Sequence, residues 1–362
     1  MIDFVVLLIV PFYSLFLPPI VSAGSLRTMI KAYTAKSKGA PLELSEYDPG
    51  DLGADEVEIK VAYCGLCHSD LSIWRDEWGI SSYPLVPGHE VVGTISAIGS
   101  SVRHLEEGQN VGLGWFSGSC MTCPTCMEGD HNLCGDVEQT IIGREGGFAE
   151  RVRAKSEWVI ALPDSLDFAK AGPLFCGGIT VFNPFVINQI KPTDRVGIVG
   201  IGGLGHLAIQ FGAAWGCEVT AFSSSPDKEE EAKKLGAHNF VASKDPEEIE
   251  KVANTLDMIL VTINVPLDWE PFIAALRAKG KIHFVGAIPE IKAPFFPLLA
   301  GEKSLGASPL GSPATVGKML EFCGRHKIAP VVEEMKMSEV NEALERLDKG
   351  EPRYRIVLKN DL

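Results

Sequence analysis

The chain has 362 residues, 46% hydrophobic and 22% charged, a composition that suits a globular protein of about two domains and excludes disorder and fibre. With 33 Lys and Arg against 47 Asp and Glu the formal charge is −14, which leaves no basic field for a polyphosphate backbone and argues against nucleic acid as a partner. Nine cysteines are an odd number for a disulfide framework, and the four crowded between Cys120 and Cys134 suit metal and reduced thiols better.

Residues 4–21 are almost uninterrupted apolar, and Val21-Ser22-Ala23 before Gly24 offers the small residues a signal peptidase accepts. Asp3 stands where a basic segment belongs, and Pro11, Pro18 and Pro19 would break a spanning helix, so no stable membrane span is expected. Residues 1–28 read either as an export signal or as an extension ahead of a true start at Met29, where a strand-like pattern begins. The second reading is preferred and makes the protein cytoplasmic; the first exports it.

From Glu56 to about Ile160, short apolar runs such as Val57–Val61 and Val91–Ile95 alternate with glycine, proline and aspartate turns. They predict an antiparallel, barrel-like β domain over residues 29–180, closed by residues 323–362 with a helix around Ser338–Leu347 and a strand at Tyr354–Leu358. Within it, Cys120-x-x-Cys123-x-x-Cys126 followed by Cys134 offers four thiolates that can close a tetrahedron around a structural Zn²⁺. A redox pair or an iron–sulfur cluster is the alternative for such a set. A second set is dispersed: Cys67 beside His68, Ser69 and Asp70, then His89-Glu90, then Cys176. Two thiolates and one imidazole are the ligand count of a catalytic zinc, although a buried cysteine or a lone histidine is more often a core residue. Trp74, Trp78, Trp115 and Phe116 are candidates for an apolar substrate pocket or for plain core packing.

Between residues 181 and 322 the rhythm changes to buried strand, glycine turn and helix, which predicts a doubly wound parallel sheet. Gly200-Ile201-Gly202-Gly203-Leu204-Gly205 follows the apolar strand Arg195–Val199 and opens the helix through Trp215, the setting in which a G-x-G-x-x-G run holds a pyrophosphate. At the end of the next strand, Glu218–Phe222, an acid would grip the ribose 2′-hydroxyl of NAD. Ser223-Ser224-Ser225 and Lys228 stand there instead and suit the 2′-phosphate of NADP(H), unless the serines only cap the following helix.

These segments, in this order, resemble the zinc-dependent medium-chain alcohol dehydrogenases over residues 29–362, and most nearly the cinnamyl alcohol dehydrogenase-like branch with its bacterial NADPH-dependent aldehyde reductases. The motifs that carry the resemblance are Gly65–Asp70, Pro87–Glu90, the Cys120–Cys134 loop, Gly177–Val181 and the glycine turn. The resemblance implies an α/β protein with a GroES-like β-barrel catalytic domain and a Rossmann NADP-binding domain, assembled as a homodimer or homotetramer. It implies two Zn²⁺ per subunit and NADP(H), with Cys67, His89 and Cys176 on the catalytic zinc and Glu90 close to it. It also places Thr180, Val285 and Gly286 near the nicotinamide, His68 near the cofactor phosphates, and Ser69 on the proton path. Ser72 stands where many relatives carry a relay histidine. The implied reaction is reversible NADPH-linked reduction of aldehydes to primary alcohols. The alternatives are a cinnamyl-type alcohol dehydrogenase, an NAD-linked polyol or formaldehyde dehydrogenase, and a non-enzymatic NADPH-binding relative of the quinone reductases; the zinc ligands disfavour the last.

Overall fold

The computed structural model describes residues 29–362, so the reading of residues 1–28 lies outside the described residues. Alternating burial along Ile30–Thr34 gives the strand expected after Met29, paired antiparallel with Glu43–Tyr47. The eleven-residue strand Glu56–Leu66 pairs antiparallel with Glu90–Ile98 and with Arg355–Lys359, in a seven-stranded sheet completed by strands between residues 110 and 161 and by Val332–Lys336. Val57, Ile59, Leu66, Val91, Ile356 and Leu358 are fully buried in its core, so the C-terminal strand is part of the first domain's hydrophobic centre.

The second sheet has six parallel strands in the order Asn239–Ala242, Glu218–Ser223, Arg195–Val199, Leu256–Val261, Leu276–Phe284, Ser304–Ala307. In chain order this is third, second, first, fourth, fifth, sixth, and the order reverses between Arg195–Val199 and Leu256–Val261. A crevice opens at that point because the crossover helices leave to opposite faces, and ligands of open α/β sheets bind there. The central strands are apolar on both faces, as burial beneath helices on each side requires. The helix Gly177–Ile187 packs on both Gly205–Trp215 and Pro313–His326, through Phe182, Phe211 and Phe322 among others.

The strands read from Val57–Val61 and Val91–Ile95 are longer than those runs, spanning Glu56–Leu66 and Glu90–Ile98, and two helices begin slightly later than expected. The helix expected from Lys228 begins at Glu229 after a 3₁₀ turn Pro226–Lys228, and the one expected from Ser338 begins at Val340 after a turn Met337–Glu339. No helix among the described residues is long and apolar enough to cross a membrane.

Candidate functional site

Cys67 follows the long first-domain strand and stands at the N-cap of the helix His68–Trp74. His89 and Glu90 enter the neighbouring strand, and Cys176 is the N-cap of the helix Gly177–Ile187. The two sulfur atoms are 3.8 Å apart, and His89 Nε2 is 3.3 Å from Cys176 Sγ. All four residues are buried and their donor atoms lie within 4.8 Å of one another. A tetrahedral zinc with sulfur at about 2.3 Å needs sulfur pairs about 3.8 Å apart, so this donor set fits that ion.

Asp70 orients the set. Its fully buried carboxylate accepts from His89 Nδ1 at 2.8 Å, from the Gly88 N–H at 2.9 Å and from the Cys67 N–H at 3.0 Å. The Nδ1 proton is thereby fixed and the Nε2 lone pair faces the thiols, the second-layer arrangement that metal-ligating histidines commonly have. Beneath lies an ion pair between Glu90 and Arg355, both buried, with the guanidinium also 4.0 Å from Cys67 Sγ. The Cys67 thiol is drawn well below its ordinary range by the hydrogen bond from Cys176 and by the Arg355 charge. Burial pushes the Glu90 carboxyl up to about 7 against the pull of Arg355, and its second oxygen has no partner. Neither Asp70 nor Arg355 was expected. Asp70 carried a signal, an acid three residues after an N-cap; Arg355 carried only a charge at the head of an apolar strand.

The four cysteines of the other set form their own cluster, with sulfur separations of 4.0 Å (Cys120 to Cys126), 3.9 Å (Cys123 to Cys134) and 3.5 Å (Cys134 to Cys120). The Cys123, Cys126 and Asp136 N–H groups donate to these sulfurs at 3.3–3.4 Å, and backbone N–H donors draw the Cys120 thiol down to about 6. The lobe has only a four-residue helix and a three-residue 3₁₀ turn, and Met127 and Leu133 are exposed, so a metal held by these sulfurs would supply the core it otherwise lacks.

Between the domains lies a cleft of about 510 Å³. Cys67, His68, Ser69, Cys176 and Thr180 line it from one side, and Gly203, Leu204, Thr262, Asn264, Val285 and Gly286 from the carboxyl ends of the parallel strands. Gly200 has φ +95°, and a Cβ on Gly205 would strike the Gly200 carbonyl, so both glycines are dictated by the turn; a Cβ on Gly202 would meet no protein atom within 4 Å. That open approach beside a helix N-terminus fits a pyrophosphate. At the end of the next strand Ser223 is buried, and its hydroxyl accepts from the Ser225 N–H at 3.1 Å. Ser225 stands at the N-cap of the following 3₁₀ turn without a side-chain capping bond. Ser224 is exposed, and Lys228 donates to the Ile201 carbonyl inside the glycine turn at 2.8 Å.

Trp78 and Trp115 line the cleft in an edge-to-face pair, with Trp115 also edge-on to His89. Trp74 and Phe116, the other two pocket candidates, are core residues. Trp74 donates its indole N–H to the Ala40 carbonyl at 2.7 Å and packs on the first-domain core, while Phe116 is buried against Trp158. Their place in the wall is taken by Leu310, Pro309 and Leu347. Ser72 is buried outside the cleft lining and donates to Glu77 at 2.7 Å.

A paired-thiol and imidazole centre facing a dinucleotide turn across one cleft defines an oxidoreductase of the metal-dependent, nicotinamide-linked dehydrogenase class. Residues 53–164 match the alcohol dehydrogenase GroES-like domain and residues 203–325 match the zinc-binding dehydrogenase domain. The chain belongs to the zinc-dependent medium-chain alcohol dehydrogenase family. It is 55% identical over 333 residues to the aldehyde reductase AdhA of Synechocystis sp., covering 92% of this chain and 99% of that protein. A cinnamyl alcohol dehydrogenase structure from Sorghum bicolor superposes with a TM-score of 0.88 at 36% identity, covering 92% of this chain and 98% of that one. That of Helicobacter pylori, complexed with NADP(H), gives a TM-score of 0.84 at 27% identity, covering 92% and 99%.

Proposed function

We propose that the chain reduces aldehydes to primary alcohols with NADPH, and carries out the reverse oxidation, in the cleft between its domains. The observation that carries the reading is the convergence in that cleft of the Cys67, His89 and Cys176 donors, the strand ends that receive a dinucleotide, and an aromatic wall. Likeness to the Synechocystis aldehyde reductase supports the direction, and likeness to the NADP(H)-bound Helicobacter structure supports the cofactor.

A zinc held by those donors supplies a Lewis acid for a carbonyl oxygen, and NADPH supplies the hydride. The chain's own residues do the rest. Cys67, His89 and Cys176 would hold the metal, and the two thiolates would balance its charge. The glycine turn gives N–H groups to the pyrophosphate, with His68 nearby, and Thr180, Val285 and Gly286 seat the nicotinamide. Ser69, on the cleft wall, holds the proton that passes to the substrate oxygen. No imidazole stands at position 72 to carry it onward: Ser72 is there, buried, with its hydroxyl donated to Glu77. Trp78 and Trp115 exclude water and favour apolar aldehydes.

The preference for NADPH rests on Ser223, Ser224, Ser225 and Lys228 and on the lack of a carboxylate at the strand end, where an NAD enzyme keeps one. Cys120, Cys123, Cys126 and Cys134 take the second, structural zinc. Residues 29–180 with 323–362 form the catalytic domain and residues 181–322 the cofactor domain, in a cytoplasmic protein. A homodimer or homotetramer is supported by Phe295, Phe296 and Leu299, 61–74% exposed, beside the free edge of the strand Ser304–Ala307. A self-complementary edge of that kind suits a two-fold contact.

The test is NADPH oxidation over aldehydes of graded length and aromaticity, repeated with NADH, with zinc measured on the same sample. Turnover of apolar aldehydes with a clear kcat/KM advantage for NADPH is expected. Zinc-replete protein inert toward all of them would overturn the reaction, and equal kcat/KM with both cofactors would overturn the cofactor choice.

A further inference from the structure

Arg353 and Tyr354 lead into the last strand of the catalytic domain, yet they lie against the cofactor domain. The Tyr354 ring stacks on His206 of the helix after the glycine turn, with centroids 4.7 Å apart and planes 13° from parallel. Tyr354 is only 7% exposed and lines the cleft beside Gly203 and Leu204. Two cations flank this ring: Lys228 Nζ lies 5.9 Å from the centroid and the Arg353 guanidinium carbon 5.8 Å. Lys228 comes from the cofactor domain and Arg353 from the segment that leads into the last strand of the catalytic domain.

Each cation has a modest partner. Lys228 donates to the neutral Ile201 carbonyl, and Arg353 pairs with Glu231 at 2.8 Å, with side-chain exposures of 54% and 29%. An ion pair that open to water contributes little and is exchanged at small cost. The repulsion between the two cations, felt at Lys228 as a lowered proton affinity alongside its burial, is compensated by Glu231 and Asp227. A doubly charged anion between Lys228 and Arg353 would relieve it more fully, and a guanidinium offers such an anion a planar pair of donors.

We propose that Arg353 is the second cation of the adenosine 2′-phosphate site, reaching from the catalytic domain toward the phosphate that Ser223–Ser225 and Lys228 hold from the other side. Glu231 occupies the guanidinium until the phosphate replaces it. The inference rests on the NADPH reading above and adds a residue from the other domain to it. The phosphate then ties the last segment of the catalytic domain to the cofactor domain, two residues from Arg355 at the Cys67 and Glu90 centre.

The experiment measures equilibrium binding of NADPH, NADH, 2′,5′-ADP and 5′-AMP to the zinc-loaded wild type and to Arg353→Gln, Lys228→Gln and Glu231→Gln, by calorimetry and cofactor fluorescence. Arg353→Gln is expected to weaken NADPH and 2′,5′-ADP about tenfold while leaving NADH and 5′-AMP within about twofold, the loss of one charge-assisted bond to a phosphate. Glu231→Gln is expected to tighten NADPH. If the wild type binds NADH as tightly as NADPH, the NADPH reading itself fails. If the wild type prefers NADPH, Lys228→Gln removes the preference and Arg353→Gln retains it, only the present inference fails. Should Arg353→Gln also lose NADH, Arg353→Lys decides: retained NADPH preference supports the charge at this position, and equal weakening of both cofactors overturns it.

Discussion

Replacing Asp70 tests whether the donor set is held for a metal. The carboxylate is fully buried and serves three donors, the His89 ring N–H and the backbone N–H groups of Gly88 and Cys67. Asp70→Ala would orphan all three, at a cost of about 3 kcal/mol or more, enough to confuse folding with binding. Asp70→Asn is the sharper perturbation. One amide oxygen can still accept from His89 and Gly88, while the amide NH₂ would face the Cys67 N–H, donor against donor, and the charge that makes the imidazole a stronger ligand is gone. Loss of such a supporting partner lowers metal affinity about 10–100-fold. The assay is a zinc competition titration with a chromophoric chelator, followed by metal analysis. Wild type should show two classes of zinc per chain; in Asp70→Asn the four-cysteine class should stay put and the other weaken by that factor. Two unchanged classes would leave the carboxylate a structural role only and no part in holding a metal.

Other outcomes follow from the same geometry. Cys176→Ala and His89→Ala should abolish turnover while NADPH binding, read by fluorescence, stays near wild type; retained turnover would count against the assigned ligands. Cys123→Ser should cost one zinc per chain and expose the loop around Met127 to protease before activity falls, which limited digestion with metal analysis would reveal. Trp78→Ala should raise KM for aromatic aldehydes more than for short aliphatic ones, and a uniform change would remove Trp78 from the substrate wall. His206 gives a pH dependence. Its Nδ1 donates to the Gly202 carbonyl, its Nε2 accepts from the Val331 N–H, and burial lowers its pKa from 6.5 to about 4. A histidine with a depressed folded pKa adds stability fully present above pH 6.5 and lost as pH falls toward 4. On the order of 2 kcal/mol should therefore disappear between pH 7 and pH 5. Denaturant titrations at both pH values would measure this, and His206→Gln should flatten the difference.

Much of the fold was legible because its periods are strong. The apolar strand Arg195–Val199, the glycines and the helix after them specify one another locally, and the parallel sense of the sheet follows from the βα alternation, whereas the order of its strands is seen only in the structure. The four-cysteine lobe was legible for the same reason, since all its ligands lie within one short loop. The dispersed set was different. Cys67, His89 and Cys176 are contributed by three separate strand and helix ends, and no spacing rule unites them; their types suggested a ligand set, and only the resemblance assigned them to one metal. Arg355 is 265 positions from Glu90, too far for any local pattern to pair them. The aromatic wall was half legible. Composition says that tryptophans are near, but whether a ring faces the cleft depends on its partners: Trp74 is turned inward by the Ala40 carbonyl, whereas Trp78 sits a turn later in a loop with the cleft before it.

The proposed reaction depends on a zinc held by Cys67, His89 and Cys176 in the NADPH cleft. The most direct measurement is zinc per chain together with NADPH-linked aldehyde reduction, on wild type and on Cys176→Ser in parallel. Two zinc ions and activity in the first, one zinc ion and no activity in the second, with NADPH binding equal in both, is the predicted result. One zinc ion in a fully active wild type, or undiminished turnover in Cys176→Ser, would contradict it.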